Sequence, residues 1–262
     1  MPMPAPPHPA MNRLPSELRR LYVPQPDADQ GRAPEELCLI DSGGRVRAMV
    51  LELARPADWA ALSKLWQGVQ ADLELPAPAI AVSGQDGFQL WFSLAEPVPA
   101  ARAMVFLESL RVRYLGDIKA QRVALMPVAD AASTLQARHA KLVPAQQANS
   151  GHWSAFVAPD LAPVFNDEPW LDIPPSPEGQ SELLSRLKSI PLADFRRALE
   201  RLMPAPVRGP FQEVSGAAEV VIGCLDPKRF LYSVMNDNTV ALALRIEAAK
   251  ALLPYTDDPR PH

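Results

Sequence analysis

The sequence predicts an α+β domain in which a mostly antiparallel sheet carries its helices on one face, with further helices at the C-terminus. Three observations carry that prediction. Short β-rich runs are joined in pairs by glycine turns, longer stretches with a helical period separate the pairs, and the 30 prolines of this 262-residue chain thin out between Leu37 and Val143. With 48% hydrophobic and 21% charged residues, the composition is that of a globular protein and excludes wholesale disorder or a fibrous repeat.

The elements follow in order. Leu37 to Asp41, the turn Ser42-Gly43-Gly44 and the run Arg45 to Leu53 read as a hairpin. After Pro56, the residues Trp59, Leu62, Trp66, Val69 and Leu73 recur every three or four positions, which predicts an amphipathic helix with both tryptophans in the core. Ala79 to Val82 and Phe88 to Leu94 predict a second hairpin across Ser83-Gly84-Gln85-Asp86-Gly87. Pro99 opens a helix whose apolar face holds Ala103, Phe106, Leu107, Leu110 and Tyr114, and Arg122 to Val128 is a further strand. Proline-containing loops then run to Pro177, and two helices, Glu178 to Ile190 and Leu192 to Met203, meet at Pro191.

The expected organisation is a largely disordered Pro-rich leader over 1–35, a core over 36–203, a linker over 204–225, and a helical hairpin with its tail over 226–262. The first ten residues have neither a basic nor an apolar region, so they do not form a signal peptide. Two distant cysteines, Cys38 and Cys224, exclude a disulfide framework and fit the cytoplasm. No apolar run is long enough for a membrane span.

Phosphate loops of the G-x-x-x-x-G-K-[ST] and G-x-G-x-x-G types are absent, as is G-x-S-x-G. His139 and His152 have no partner at a metal-ligand spacing and read as surface or hydrogen-bonded residues. The most distinctive stretch is the second hairpin. A turn with a hydroxyl at its start and Gln89 on the returning strand can offer N–H donors to a phosphate, although an ordinary hairpin has the same pattern. Alternation puts Phe88, Leu90 and Phe92 on one face and Gln89 with Trp91 on the other. If the phenylalanines pack inward, Trp91 is exposed on the sheet, where bases of single-stranded nucleic acid stack.

Charge adds to this reading. In a chain of net charge -4, the stretch from Arg102 to Lys141 has Arg102, Arg111, Arg113, Lys119, Arg122, Arg138 and Lys141 against only Glu108, Asp117 and Asp130. A nucleic-acid contact and a solvated helix face both account for it, and Arg111 and Arg113, two positions apart, do not share a helix face.

The segment Ser83-Gly84 through Gln89-Leu90-Trp91 resembles the second motif of the archaeo-eukaryotic primase-polymerase superfamily, in which a Ser-Gly turn leads into a strand that contacts the phosphates of an incoming nucleotide. It is most similar to the plasmid replication primase branch, which places Gln and Trp on that strand. Glu52, 31 residues before Ser83, falls where the superfamily carries an acidic pair on a strand before a helix. The resemblance spans about 100 residues, from Leu37 to Asp130, and implies an RRM-like core with Ser83, Gly84, Gly87 and Gln89 at the phosphates and Glu52 at a metal. Ala54 stands in place of the second carboxylate, so the motif is degenerate. Two-metal phosphoryl transfer needs converging carboxylates. The C-terminal segment Leu225 to Tyr255 is similar to a helical element of phage terminase small subunits.

These observations lead to a cytoplasmic, mobile-element-associated protein that binds single-stranded nucleic acid or a nucleotide on a non-catalytic primase-polymerase core. Trp91, Arg102, Arg111, Arg113, Lys119 and Arg122 are its nucleic-acid contacts, and the C-terminal hairpin docks a replication or packaging protein. Two alternatives stay open: an active primase or polymerase holding magnesium or manganese with Glu52, Asp41 and Asp130, and a structural adaptor.

Overall fold

A computed structural model describes residues 13–24, 37–130, 133–202 and 249–250, and for 129–130 and 133–138 the backbone alone. The chain divides into two units, 1–207 and 208–262. The expected linker and helical hairpin lie outside the described residues except for 249–250, and the fold below is that of the first unit.

The α+β class and the antiparallel sheet hold. Five strands, β1 (Arg45–Ala54), β2 (Ala79–Val82), β3 (Gly87–Pro99), β4 (Val123–Met126) and β7 (Ala155–Val157), form a sheet in the order β4-β1-β3-β2-β7, every neighbouring pair antiparallel. A separate ribbon pairs β5 (Val128–Asp130) with β6 (Ser133–Arg138). Pro127 has no N–H for a ladder, and the single strand expected over 122–128 is divided there into β4 and β5. The hairpin expected at the start of the core shrinks to one bridge, Ile40 to Val46, because β1 takes β3 and β4 as its neighbours.

The alternation read from the sequence governs the two faces. Met49, Leu51 and Leu53 of β1, Ile80 and Val82 of β2, and Phe88, Leu90 and Phe92 of β3 enter one core. Helices α2 (Trp59–Ala71), α3 (Ala100–Tyr114) and α5 (Leu192–Leu202) cover it with Leu62, Leu65, Val69, Phe106, Leu110, Phe195 and others. Asp58 starts α2 by accepting a hydrogen bond from the Ala61 N–H at 2.9 Å.

The opposite face is covered too, so the helices are not confined to one side. Ala48, Val50, Ala81 and Trp91 form a second core with α1 (Leu14–Tyr22) and Leu184 of α4 (Pro177–Ser185). Helix α1 lies inside the range expected to be a disordered leader. Its Leu14, Leu18, Leu21 and Tyr22 recur at helical spacing and are all buried. Arg47 fastens its end, donating to the carbonyls of Arg20 at 2.8 Å, Val23 at 3.2 Å and Leu94 at 2.8 Å. Arg20 in turn donates to the carbonyls of Leu184 and Leu187, where α4 stops at Ser185 instead of reaching Ile190. Ile190 leaves the helix to bond β3, its N–H donating to the Ser93 carbonyl at 2.7 Å. No helix of the described residues is long and apolar enough to cross a membrane.

Candidate functional site

The antiparallel register sets Glu52 of β1 directly opposite Gln89 of β3, on the face shared with Val50 and Trp91. The pairing makes a polar seam through an otherwise apolar layer. The indole Nε1 of Trp91 donates to Gln89 Oε1 at 2.8 Å, and Gln89 Nε2 donates to Glu52 Oε2 at 2.9 Å. Each link fixes the next: the indole can only donate, so it sets which end of the amide faces the carboxylate. Burial pushes the Glu52 carboxyl above its ordinary range, while the hydrogen bond from Gln89 works in the opposite direction.

Trp91 is 1% exposed, and this overturns its expected role as a base-stacking residue. Alternation places it correctly on the outer face, but α1 covers that face. Its ring meets Tyr22 edge-on at 5.2 Å and Phe156 at 6.0 Å.

The carboxylate end of the seam opens into a cleft of about 250 Å³ that also has Ser83, Gln85, His139, Lys141, Gln147 and Ser154 in its wall. His139 is a neutral wall residue. Its Nε2 donates to the Ala48 carbonyl at 3.0 Å and its Nδ1 accepts from the Ala140 N–H at 2.8 Å, and burial holds its pKa down at about 4. Lys141 is exposed and lines the cleft.

The Ser83 turn forms the floor but is not an open phosphate cradle. Ser83 Oγ accepts from the N–H groups of Gln85 at 3.2 Å and Gly87 at 3.1 Å, the Ser83 N–H donates to the Gly87 carbonyl, and the Gly84 N–H donates to the Pro169 carbonyl at 3.0 Å. The glycines serve close packing. A Cβ on Gly84, whose φ is +78°, meets the Ser154 nitrogen at 2.8 Å, and one on Gly87 meets Ala54 Cβ at 2.8 Å. Of the four residues expected at a phosphate, Gln89 and Ser83 reach the cleft and the two glycines hold its backbone.

The other sequence candidates are dispersed. Asp41 folds back on its own turn, with Oδ1 accepting from the N–H groups of Gly43 and Arg45. Arg45 opens β1 seven residues before Glu52, which at about 3.3 Å per residue puts the two carboxylates roughly 20 Å apart. Asp41 therefore cannot share a metal with Glu52. The side chain of Asp130 lies outside the described residues. Among the described residues no three His, Cys, Asp or Glu side chains converge as a metal site, and Glu52 is the one carboxylate lining the cleft.

The basic residues of α3 stand on the far side of the sheet, because α3 packs on the opposite core. Arg102 is exposed there, Arg111 pairs with Glu108 at 2.5 Å, and Arg113 is 3.5 Å from Asp72. Lys119 is exposed in the connection after α3. Arg122 braces the end of β1, donating to the carbonyls of Ala54 and Pro56. The row read as one nucleic-acid track thus divides, and Lys141 alone of its described side chains reaches the cleft. Gln147, and the placement of Lys141 in this cleft, are not expected from the sequence, since nothing local marks residues that folding brings back across 64 and 58 positions to the Ser83 turn. No family model matches the chain, and no curated protein is detectably similar to it.

Proposed function

We propose that this chain is a mobile-element-associated protein of the cytoplasm that binds single-stranded nucleic acid or a nucleotide on a primase-polymerase-like core, and that it acts by binding rather than by nucleotidyl transfer. The observation that carries this reading is the seam from Trp91 through Gln89 to Glu52, which holds one oriented carboxylate in a cleft with Lys141. Glu52 and Gln89 are the residues that the family resemblance singles out, and they are cross-strand partners.

The chemistry suits recognition. A carboxylate fixed by an amide accepts from the amino edge of a base, and a lysine at the same cleft attracts a phosphate. Two-metal nucleotidyl transfer, in which a hydroxyl attacks the α-phosphate and pyrophosphate leaves, would need several carboxylates converging on the ions, and Glu52 is one group. A cleft of about 250 Å³ is smaller than the usual pocket for a whole drug-sized ligand and holds one base- or sugar-sized moiety.

Fluorescence anisotropy with labelled single-stranded DNA, and competition by nucleoside triphosphates, test the reading. Binding at low salt is expected, with a salt slope that falls by about one on Lys141→Ala. Glu52→Ala should weaken binding without unfolding the protein. Absence of binding to both ligands at low salt would overturn the reading.

A further inference from the structure

A second cleft, of about 330 Å³, lies beside the Ser83 turn and shares Gln85 with the Glu52 cleft; Pro56, Asp86, Asn166, Asp167 and Trp170 complete most of its wall. From this juxtaposition we infer that Trp170 is a stacking platform for a nucleobase bearing an exocyclic amino group. The inference rests on the nucleic-acid or nucleotide reading above and assigns to this second cleft a further base of that ligand, next to the moiety held at Glu52.

Trp170 is presented rigidly. The peptide before it is tied to the turn through the Gly84 N–H and the Pro169 carbonyl, at 3.0 Å. The residue after it, Leu171, exchanges two backbone hydrogen bonds with Trp153, at 2.8 and 3.0 Å. One face of the indole is already covered by the imidazole of His152, parallel to within 6° and with ring centres 4.7 Å apart. His152 does not line the second cleft, so the cleft meets the indole away from that stack. A flat aromatic surface fixed before the ligand arrives loses little entropy on binding, which is what base stacking on proteins exploits.

The hydrogen-bonding groups around that surface select among bases. Gln85, which lines this cleft, donates through Nε2 to Gln147 Oε1 at 3.3 Å and has a carbonyl oxygen as its acceptor. Asn166 spends its Oδ1 on the Trp59 N–H, at 3.1 Å, which leaves its NH₂ as the donor. Asp86 and Asp167 add carboxylate acceptors. An acceptor-rich rim with one amide donor complements an amino group beside a ring nitrogen or carbonyl, as on cytosine or adenine. Thymine and uracil place a carbonyl where the amino group should be, against the carboxylates. A lysine or arginine side chain from a partner protein is the competing occupant. It fits less well, because 330 Å³ matches the lower end of small-molecule pockets rather than one side-chain tip.

The test uses the full chain, with labelled ten-nucleotide dC and dT homopolymers at low salt, and circular dichroism to verify that each variant is folded. The wild type should prefer the dC homopolymer. Trp170→Ala should weaken its binding by about 5- to 150-fold, the range for loss of one stacked base. Trp170→Phe should restore most of it, and Asp167→Asn should narrow the preference for dC over dT. If Trp170→Ala binds like the wild type while Glu52→Ala does not, this inference is overturned and the Glu52 reading stands. If the wild type binds neither homopolymer nor nucleotide, both fall. If an arginine-rich peptide binds more tightly than the dC homopolymer and loses that binding on Trp170→Ala, the platform serves a protein cation and the inference is wrong.

Discussion

The two faces of the sheet are built on different terms. One is wholly apolar, with Met49, Leu51, Phe88, Leu90 and Phe92 under α2 and α3, which follow their strands closely in sequence, and under the remote α5. The other interleaves Glu52, Gln89, Ser93 and His139 with Trp91 and Val50, and its cover comes from the remote segments α1 and α4. The contrast teaches where function is accommodated. A buried polar group must find partners or cost stability, so buried Gln89 is held between Trp91 and half-buried Glu52, and buried Ser93 reaches the Leu21 carbonyl of α1. Both faces contribute buried apolar surface, and the second also carries a fixed carboxylate.

Removing the cover of the second face should have the largest effect. A chain lacking residues 1–24 loses Leu14, Leu18, Leu21, Tyr22 and Val23, all buried, at about 1.5–3 kcal/mol for each large side chain, a total on the order of the stability of a whole domain. Such a chain should show no cooperative thermal transition; a normal melt would mean that the second face stands without α1. Next comes Trp91→Ala, which opens a cavity and strands Gln89 Oε1. It should cost about 3–5 kcal/mol in urea unfolding, whereas an exposed stacking residue would cost almost nothing.

Acid should act selectively on the second face. Burial holds His139 at about 4 against its ordinary 6.5, so between those values the unfolded chain binds a proton that the folded chain refuses. Stability is therefore retained above pH 6.5 and lost as the pH falls toward 4, by at most about 3 kcal/mol. His139→Gln should flatten that limb of the stability profile. A smaller effect belongs to Tyr22, whose hydroxyl is buried without a partner among the described residues. Tyr22→Phe removes an unsatisfied group and should raise stability by about 1 kcal/mol; a loss of similar size would reveal a hidden partner.

The smallest expected change is at Glu52. Because burial raises its carboxyl in the folded state, its contribution is fully present below the unfolded value and declines as the pH rises through the folded one. Glu52→Gln should thus give a slight gain in melting temperature at pH 7 and none near pH 4. A clear loss at pH 7 would mean that the charge holds the seam together.

Much of the first face was legible from sequence. The three-and-four spacing of Leu62, Trp66 and Val69, and the period of two through Phe88, Leu90 and Phe92, are local patterns that need no knowledge of the partner. The same alternation placed Gln89 beside Trp91 correctly. It could not say that Trp91 is buried, because exposure depends on α1, about 70 residues earlier, and proline on either side disguised that helix as a leader. The site was legible to the same limited degree. Glu52 and Gln89 follow from the family resemblance, but Lys141, Gln147 and Trp170 are carried to the turn by irregular backbone with no period to read. Net charge misled for a related reason: a basic run in sequence is divided between two faces once helix α3 and the strands after it part.

The seam from Trp91 to Glu52 ends in the proposed ligand site. Two-dimensional NMR of the indole N–H groups tests it directly, since the Trp91 Nε1–H is two hydrogen bonds from the Glu52 carboxylate and shielded from solvent. Titration with a short dC oligonucleotide should shift the Trp91 resonance in wild-type protein, with the Trp91 shift abolished in Glu52→Ala. A Trp91 resonance that stays fixed while the oligonucleotide binds would place the ligand elsewhere and contradict this account.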